Sequence, residues 1–313
     1  MPLLKPRSLR KGDVIGLISP ASTPSSSEKI EKSVRYLESL GYRTAVGTHV
    51  LDVNGYLAGS DDDRAEDFNA MVRDKRVKAV IALRGGYGTP RILPLLDYRS
   101  IRQHPKIIVG YSDLTALQLA VFKKTGLVTF SGPMAAVEMW NEIDPYTEEH
   151  FWRLVTSPRP VGVVPNPGDD PVAGHNGGTA AGRLLGGNLS LVVSSLATPY
   201  SPDYTKALLV LEEIDEAPHR VDRMVTQLFN AGVFKRLSGL VLGHFTDCVP
   251  PDPEKPNLTI DQVLAEVLER IRKPALSNLR YGHISKKLTI PLGVRARIDA
   301  EKGRLEISEA AVR

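Results

Sequence analysis

One hydroxyl, that of Ser112, is set between a β-branched run and an amphipathic pattern in KIIVGYSDLTALQLAVFKKTG, residues 106–126. The run predicts a strand over 107–111. From Asp113 onward, Leu114, Leu117, Ala120 and Val121 fall at helical spacing, and Lys123, Lys124 and Gly126 form a helix stop. A serine at the end of a strand and the start of a helix has an exposed hydroxyl. The helix dipole and free N–H groups beside it favour an anion. The arrangement has the mechanics of a nucleophile elbow, with Asp113 and Leu114 in place of the usual x-Gly. A plain helix N-cap calls for the same residue type, so the local pattern leaves both roles open.

Three further groups of residues could join that chemistry. The loop RGGYGTPR, residues 84–91, follows a buried run, and its three glycines let backbone N–H groups approach a ligand. It could form an oxyanion hole, a phosphate cradle or a simple turn; Gly85, Gly86 and Gly88 do not make G-x-G-x-x-G. The apolar run LLVLEEIDE ends in Glu212, Glu213, Asp215 and Glu216. A carboxylate there could orient a histidine, act in an acid–base pair as in glycosidases, or cap the next helix. Of seven histidines, His244 and His283 stand at strand-end or turn positions suited to a general base. His244, Asp247 and Cys248 are also close enough in sequence to suggest a metal, but no H-E-x-x-H or paired-Cys spacing supports one.

The elements that must position these groups alternate regularly in the first half. Strands are expected over 14–18, 43–46, 79–83, 107–111 and 128–131. Helices are expected over 28–40, where Ile30, Val34 and Leu37 make an apolar face, and from Ser60, where Asp63 completes a capping-box pattern. Such alternation implies a mostly parallel sheet flanked by helices, with ligands at the carboxyl ends of its strands. The Arg84–Gly88 loop and Ser112 both fall at such ends. Residues 155–180 are rich in Pro and Gly and read as a connection. Beyond it, strands over 207–212, 239–243 and 295–298 and helices over 222–231 and 260–272 give a C-terminal α/β domain. The division is an N-terminal domain 1–160, a linker 161–178 and a C-terminal domain 179–313.

Composition removes several function classes. With 40 Lys and Arg against 36 Asp and Glu, the net charge of +4 is spread along the chain. No basic stripe with interleaved aromatics argues for nucleic acid. The apolar run 14–18 is too short for a signal-peptide core, and no stretch has the length of a membrane span. One cysteine, Cys248, precludes an internal disulfide framework and fits a cytoplasmic location.

Taken together, YLAGSDDDRAEDFN (56–69), LRGGYG (83–88), GYSDLTAL (110–117), LLGGNLSL (184–191), LEEIDEAPHRVDR (211–223) and GHISKKLTIPLG (282–293) resemble the LD-carboxypeptidase family. This is the serine peptidase group that also holds the microcin C immunity hydrolases. The resemblance spans nearly the whole chain with the motifs in family order. It implies a Ser–Glu–His triad in the cleft between the domains: Ser112 as nucleophile, His283 as base and Glu212 as orienting carboxylate, with Glu213 directly adjacent. It also implies oxyanion donors at the Gly86 and Asp113 amides, no cofactor and no metal. The implied reaction releases terminal D-alanine from a muropeptide tetrapeptide by cutting an L–D amide bond. Arg84 and Arg91 are candidates to anchor the substrate's free carboxylate. The expected partner is a muropeptide or other small peptide, with no nucleic acid and no membrane; a homodimer is the assembly considered. An alternative within the same chemistry is hydrolysis of a microcin-type aminoacyl nucleotide, which would want a stacking platform such as Trp140 or Trp152. A non-catalytic small-peptide-binding protein is the alternative from another class.

Overall fold

A computed structural model describes residues 2–165, 171–252 and 254–313. The first half builds five parallel strands, in sheet order Arg43–Val46, Val14–Ile18, Val77–Ala82, Ile107–Gly110 and Thr129–Ser131. Val14–Ile18 reads VIGLI and is buried at every position, as a strand covered on both faces must be. Its alternate side chains go to different cores. Ile15 and Leu17 pack with Ile30, Leu37 and Phe151, whereas Val14 and Ile18 pack with Phe68, Val72, Leu117 and Val121. Helices therefore cover both faces, as expected from the strand–helix alternation. The helix Asp61–Arg73 starts at Ser60 with the capping box that the sequence announces: the Ser60 side chain accepts from the Asp63 amide, and the Asp63 side chain accepts from Ser60 N–H.

Among the described residues the second sheet has eight strands. Its parallel centre is Thr179–Asn188, Ala207–Ile214, Gly239–Thr246 and Ala275–Ser277. Arg295–Asp299 and Arg304–Ile307 extend it antiparallel on one side. Leu209, Leu211, Leu240 and Leu242 face the helices Pro218–Asn230 and Ile260–Ile271 through Val221, Val225, Val263 and Val267. Leu208, Val210 and Val241, on the alternate face, join the same apolar cluster as Ile15, Leu17 and Phe130 of the first sheet. The two halves thus share one continuous core.

Two features depart from the expected layout. Ile290–Leu292, from the C-terminal half, crosses back and pairs antiparallel with Thr129–Ser131 as the sixth strand of the first sheet. The segment read as a linker over 161–178 supplies both edge strands of the second sheet, Gly162–Val163 and Ala173–His175. Residues 166–170 of that segment lie outside the described residues. Edge strands this short carry almost no periodicity, which is why Pro and Gly dominate their reading. Thr179–Asn188 escaped the pattern because Ala and Gly residues interrupt its apolar run. A Cβ on Gly187, where φ is 132°, would stand 2.5 Å from Thr115 Oγ1. Only glycine lets this central strand come so close to the helix that begins beside Ser112. Among the described residues no helix is long and apolar enough to cross a membrane.

Candidate active site

Ser112 occupies the tight turn between Ile107–Gly110 and the helix Leu114–Thr125, with φ at 63°. Left-handed backbone costs a non-glycine residue roughly 1–2 kcal/mol, so the surrounding structure must hold it. Thr89 does much of the holding. Its N–H donates to the Asp113 carboxylate at 2.8 Å and its hydroxyl donates to the Asp113 carbonyl at 2.5 Å. Asp113 is buried, and burial raises its carboxyl pKa against the opposing effect of the Thr89 bonds. These two contacts join the glycine loop to the serine turn. A Cβ on Gly85 would lie 3.0 Å from Ser112 Cβ, so the loop backbone rests directly on the serine side chain. Gly86 has φ 110°, and a Cβ there would meet Ser22 Oγ at 2.3 Å, which explains glycine at that point of the loop.

The acidic strand end contributes from the other half. Ala207–Ile214 alternates its side chains, so Glu212 and Glu213 point to opposite faces. Glu212 is fully buried, and its Oε2 lies 2.7 Å from His283 Nδ1. Glu213 is enclosed elsewhere: it accepts from Asn188 Nδ2 at 2.6 Å, Ser190 Oγ at 2.6 Å and Ser190 N–H at 2.8 Å. Burial raises its pKa, while the Ser190 and Asn188 bonds work the other way.

His283 follows Tyr281, whose hydroxyl shares a 2.6 Å hydrogen bond with Ser131 and whose carbonyl accepts from His244 N–H at 2.8 Å. The loop carrying His283 is thereby fastened to both sheets. Ser112 and His283 line one cavity of about 660 Å³, together with Arg84, Gly86, Trp140 and Asp215. This is within the usual size range of small-ligand pockets. Among the described residues no hydrogen bond joins Ser112 Oγ to the His283 imidazole, whose Nδ1 is bonded to Glu212. Such bonds commonly tighten only when substrate is bound.

The other candidates separate cleanly. His244 lines a different hollow, with Phe245, Ile260 and Ser277. Burial pushes the Cys248 thiol up to about 11, which opposes thiolate ligation. Among the described residues, the three groups gathered closely enough to hold a metal are His49, Asp52 and Asp63, not His244, Asp247 and Cys248. Arg84 reaches the cavity, where its guanidinium donates to the Thr23 carbonyl at 3.3 Å. Arg91 does not line it; its Nε is paired with Asp61 at 2.9 Å on the exposed surface. Helical spacing after Pro90 turns Arg91 toward the helix Asp61–Arg73. Of the two tryptophans, Trp140 lines the cavity with Lys29 4.4 Å from its ring centre. Trp152 stacks on Tyr42 at 5.0 Å, away from it.

Sequence reasoning passed over Lys29 and Asp215 as cavity residues, and the cluster Tyr111, Glu138 and Lys287 behind His283. Lys29 and Glu138 stand on exposed-looking polar positions of their segments, with no local signal to single them out. Asp215 did carry one: it sits in the acidic run after Glu212.

Residues 15–132 match the LD-carboxypeptidase N-terminal domain and residues 181–298 match the LD-carboxypeptidase C-terminal domain. The chain belongs to the LD-carboxypeptidase family. A probable murein peptide carboxypeptidase of Bacillus subtilis is 39% identical over 95% of this chain and 92% of its own. The solved muramoyltetrapeptide carboxypeptidase of Oxalobacter formigenes superposes with a TM-score of 0.81 at 32% identity, covering 94% of this chain and 97% of that one. MccF bound to glutamyl sulfamoyl guanosine superposes with a TM-score of 0.90 at 27% identity, covering 99% of this chain and 100% of that one. The two-domain α/β layout is therefore common to family members of both kinds.

Proposed function

We propose that the protein is a serine LD-carboxypeptidase that releases the terminal D-alanine of muropeptide tetrapeptides, with Ser112, His283 and Glu212 as its triad. The observation that carries this reading is the 2.7 Å contact of His283 Nδ1 with the buried Glu212 carboxylate, in the cavity that also contains the strained Ser112. A bond from Nδ1–H to the carboxylate leaves Nε2 unprotonated and free to act as a base.

In the forward step Ser112 Oγ attacks the carbonyl of the L-configured residue while its proton passes to His283 Nε2. The carbonyl oxygen becomes an oxyanion, for which the Gly86 and Asp113 amides are the donors; each such donor is worth roughly 3 kcal/mol. Collapse breaks the C–N bond, and His283 returns the proton to the departing D-alanine amine. Water then attacks the acyl-serine, again losing a proton to His283; the bond from the acyl carbon to Ser112 Oγ breaks, His283 returns the proton to that oxygen, and the truncated peptide leaves as its carboxylic acid. Glu212 stabilises the imidazolium at both stages. Arg84, with Lys29 on the same wall, supplies positive charge for the carboxylate of D-alanine. The triad needs no cofactor.

Trp140 favours a second reading, hydrolysis of an aminoacyl sulfamoyl nucleoside, because it offers a flat ring to the same cavity. Lys29 and Lys32, 4.4 and 5.4 Å from that ring's centre, compete for the surface a base would use.

Mass spectrometry on tetrapeptide, pentapeptide and aminoacyl sulfamoyl substrates tests both. Efficient D-alanine release from the tetrapeptide is expected, with about 100-fold slower release from the pentapeptide, whose terminal bond misplaces the carbonyl. Equal rates on the two peptides would contradict an LD enzyme. Inertness toward both, with rapid cleavage of the nucleoside, would establish the second reading.

A further inference from the structure

The basic stretch after His283 turns one of its lysines inward. Lys287 is 3% exposed. Its Nζ donates to Glu138 Oε1 at 2.6 Å and to Tyr111 Oη at 2.9 Å, and lies 4.0 Å from the Tyr111 ring centre. Tyr111 donates its own proton to Glu138 Oε1 at 2.8 Å, and Glu138 Oε2 accepts from Met134 N–H at 2.7 Å. Burial and the Glu138 carboxylate push the Tyr111 phenol well above its ordinary pKa, so it remains an O–H donor. On its other side the Tyr111 ring meets the His283 ring edge-on, with centres 4.9 Å apart.

This cluster connects the residue before Ser112, the cavity wall around Met134 and Glu138, and the loop carrying His283. Below it, Lys287 N–H donates to Thr147 Oγ1 at 2.8 Å, and that hydroxyl donates to the Ser285 carbonyl at 3.0 Å. A buried ion pair seldom repays the cost of desolvating its charges, so stability alone is a poor reason for one here.

We propose that the Lys287–Glu138 ion pair is a positioning device for His283, which fixes the imidazole through Tyr111 and keeps the charge behind that ring balanced. This role rests on the reading of His283 as the general base. Other charges face the ring: Glu212 at Nδ1, Asp215, Arg84 and Lys29 around the main cavity, and Glu142 and Asp144 in the adjoining hollow. All of them are common to the wild type and the variants, so a comparison among these isolates the pair.

Removing one partner at a time should move His283 in opposite directions. In Glu138→Gln the Lys287 ammonium is uncompensated and opposes imidazolium formation. In Lys287→Met the Glu138 carboxylate is uncompensated and favours it. The two ring contacts put Nζ within about 9 Å of the imidazole centre, where a unit charge shifts a titration by on the order of one pH unit.

The test is an NMR titration of the isotope-labelled His283 ring, assigned with His283→Asn, in the full-length protein. Glu138→Gln should titrate about one unit lower than wild type, Lys287→Met about one unit higher, and the double variant near wild type. The acid limb of kcat/KM should follow the same order, because only the neutral ring accepts the Ser112 proton. Each single variant should lower kcat about tenfold with little change in KM, and Lys287→Arg should recover most of it. Identical His283 titrations, or single variants shifted the same way, would overturn the proposal. Should Lys287→Met not fold, the near-isosteric Glu138→Gln decides alone, an unshifted titration counting against the role. The NMR readout requires no substrate, so absence of D-alanine release would count against the hydrolytic reading and leave this test standing.

Discussion

Replacing Glu212 by Gln keeps the volume of the side chain and removes one negative charge from beside His283. In the proposed mechanism the ring takes the serine proton, and its positive charge is then centred roughly 4 Å from that carboxylate; at an effective permittivity of about 20 the attraction is ~4 kcal/mol. Three orders of magnitude in rate correspond to that energy. An amide can also turn its NH₂ toward Nδ1, which would place the imidazole proton on Nε2 and abolish the base; the comparable carboxylate-to-amide change in chymotrypsin-type triads costs about 10⁴. The expected loss in kcat for Glu212→Gln is therefore about 10³- to 10⁴-fold. Glu213→Gln is the matched control. It disturbs the acceptors of Ser190 and Asn188 and should lower stability by about 1–3 kcal/mol while leaving kcat within about threefold. The assay is D-alanine release at saturating tetrapeptide by purified, folded proteins, with thermal denaturation run in parallel. A Glu212→Gln enzyme within tenfold of wild type, or a folded Glu213→Gln enzyme as impaired as Glu212→Gln, would refute the assignment of the carboxylate.

Other outcomes follow from named contacts. Ser112→Gly should abolish turnover yet raise the melting temperature by about 2 °C, because glycine adopts the left-handed turn without a Cβ penalty; a clear fall in melting temperature would show that the turn is unstrained. Gly187→Ala should cost 3 kcal/mol or more (roughly, from strain plus overlap with Thr115), read by chemical denaturation; a change below about 1 kcal/mol would mean that the two halves adjust freely. Lys106, buried with its ammonium on the Asp74 and Val77 carbonyls, is held down to about pKa 8 by burial. The folded form therefore releases this proton before the unfolded chain does, and its stability should gain between pH 8 and the unfolded value near 10.5. Melting curves of wild type and Lys106→Met across pH 7–10.5 should converge or cross in that window; parallel curves would contradict the shift.

Much of the N-terminal sheet was legible because its signals are local. Fully apolar strands, the Ser60–Asp63 capping box and the Gly126 stop each depend on residues a few positions apart, and each stands where the pattern puts it. The same locality made the Ser112 elbow visible as a strand–turn–helix junction. Whole-chain motif order carried the family, since several weak signals in sequence are specific when combined.

What remained for the tertiary structure was decided by which face a side chain takes and what lies across from it. Glu212 and Glu213 are neighbours of identical chemistry; only the facing of Ala207–Ile214 in its sheet sends one to His283 and the other to Ser190 and Asn188. His244 near a strand end and His283 in a turn were equally suited to act as a base, but the first borders a separate hollow. Arg84 and Arg91 flank one glycine-rich turn, and the partly buried Asp61 pairs with only the second. The return of Ile290–Leu292 to the first sheet, and the burial of Lys287 against Glu138 some 149 positions away, have no local signature at all. Contacts between residues far apart in sequence depend on the register and packing of whole sheets, whereas turns and helix caps depend only on the next few residues; the chain therefore announces its elements by itself and leaves their facing to the fold.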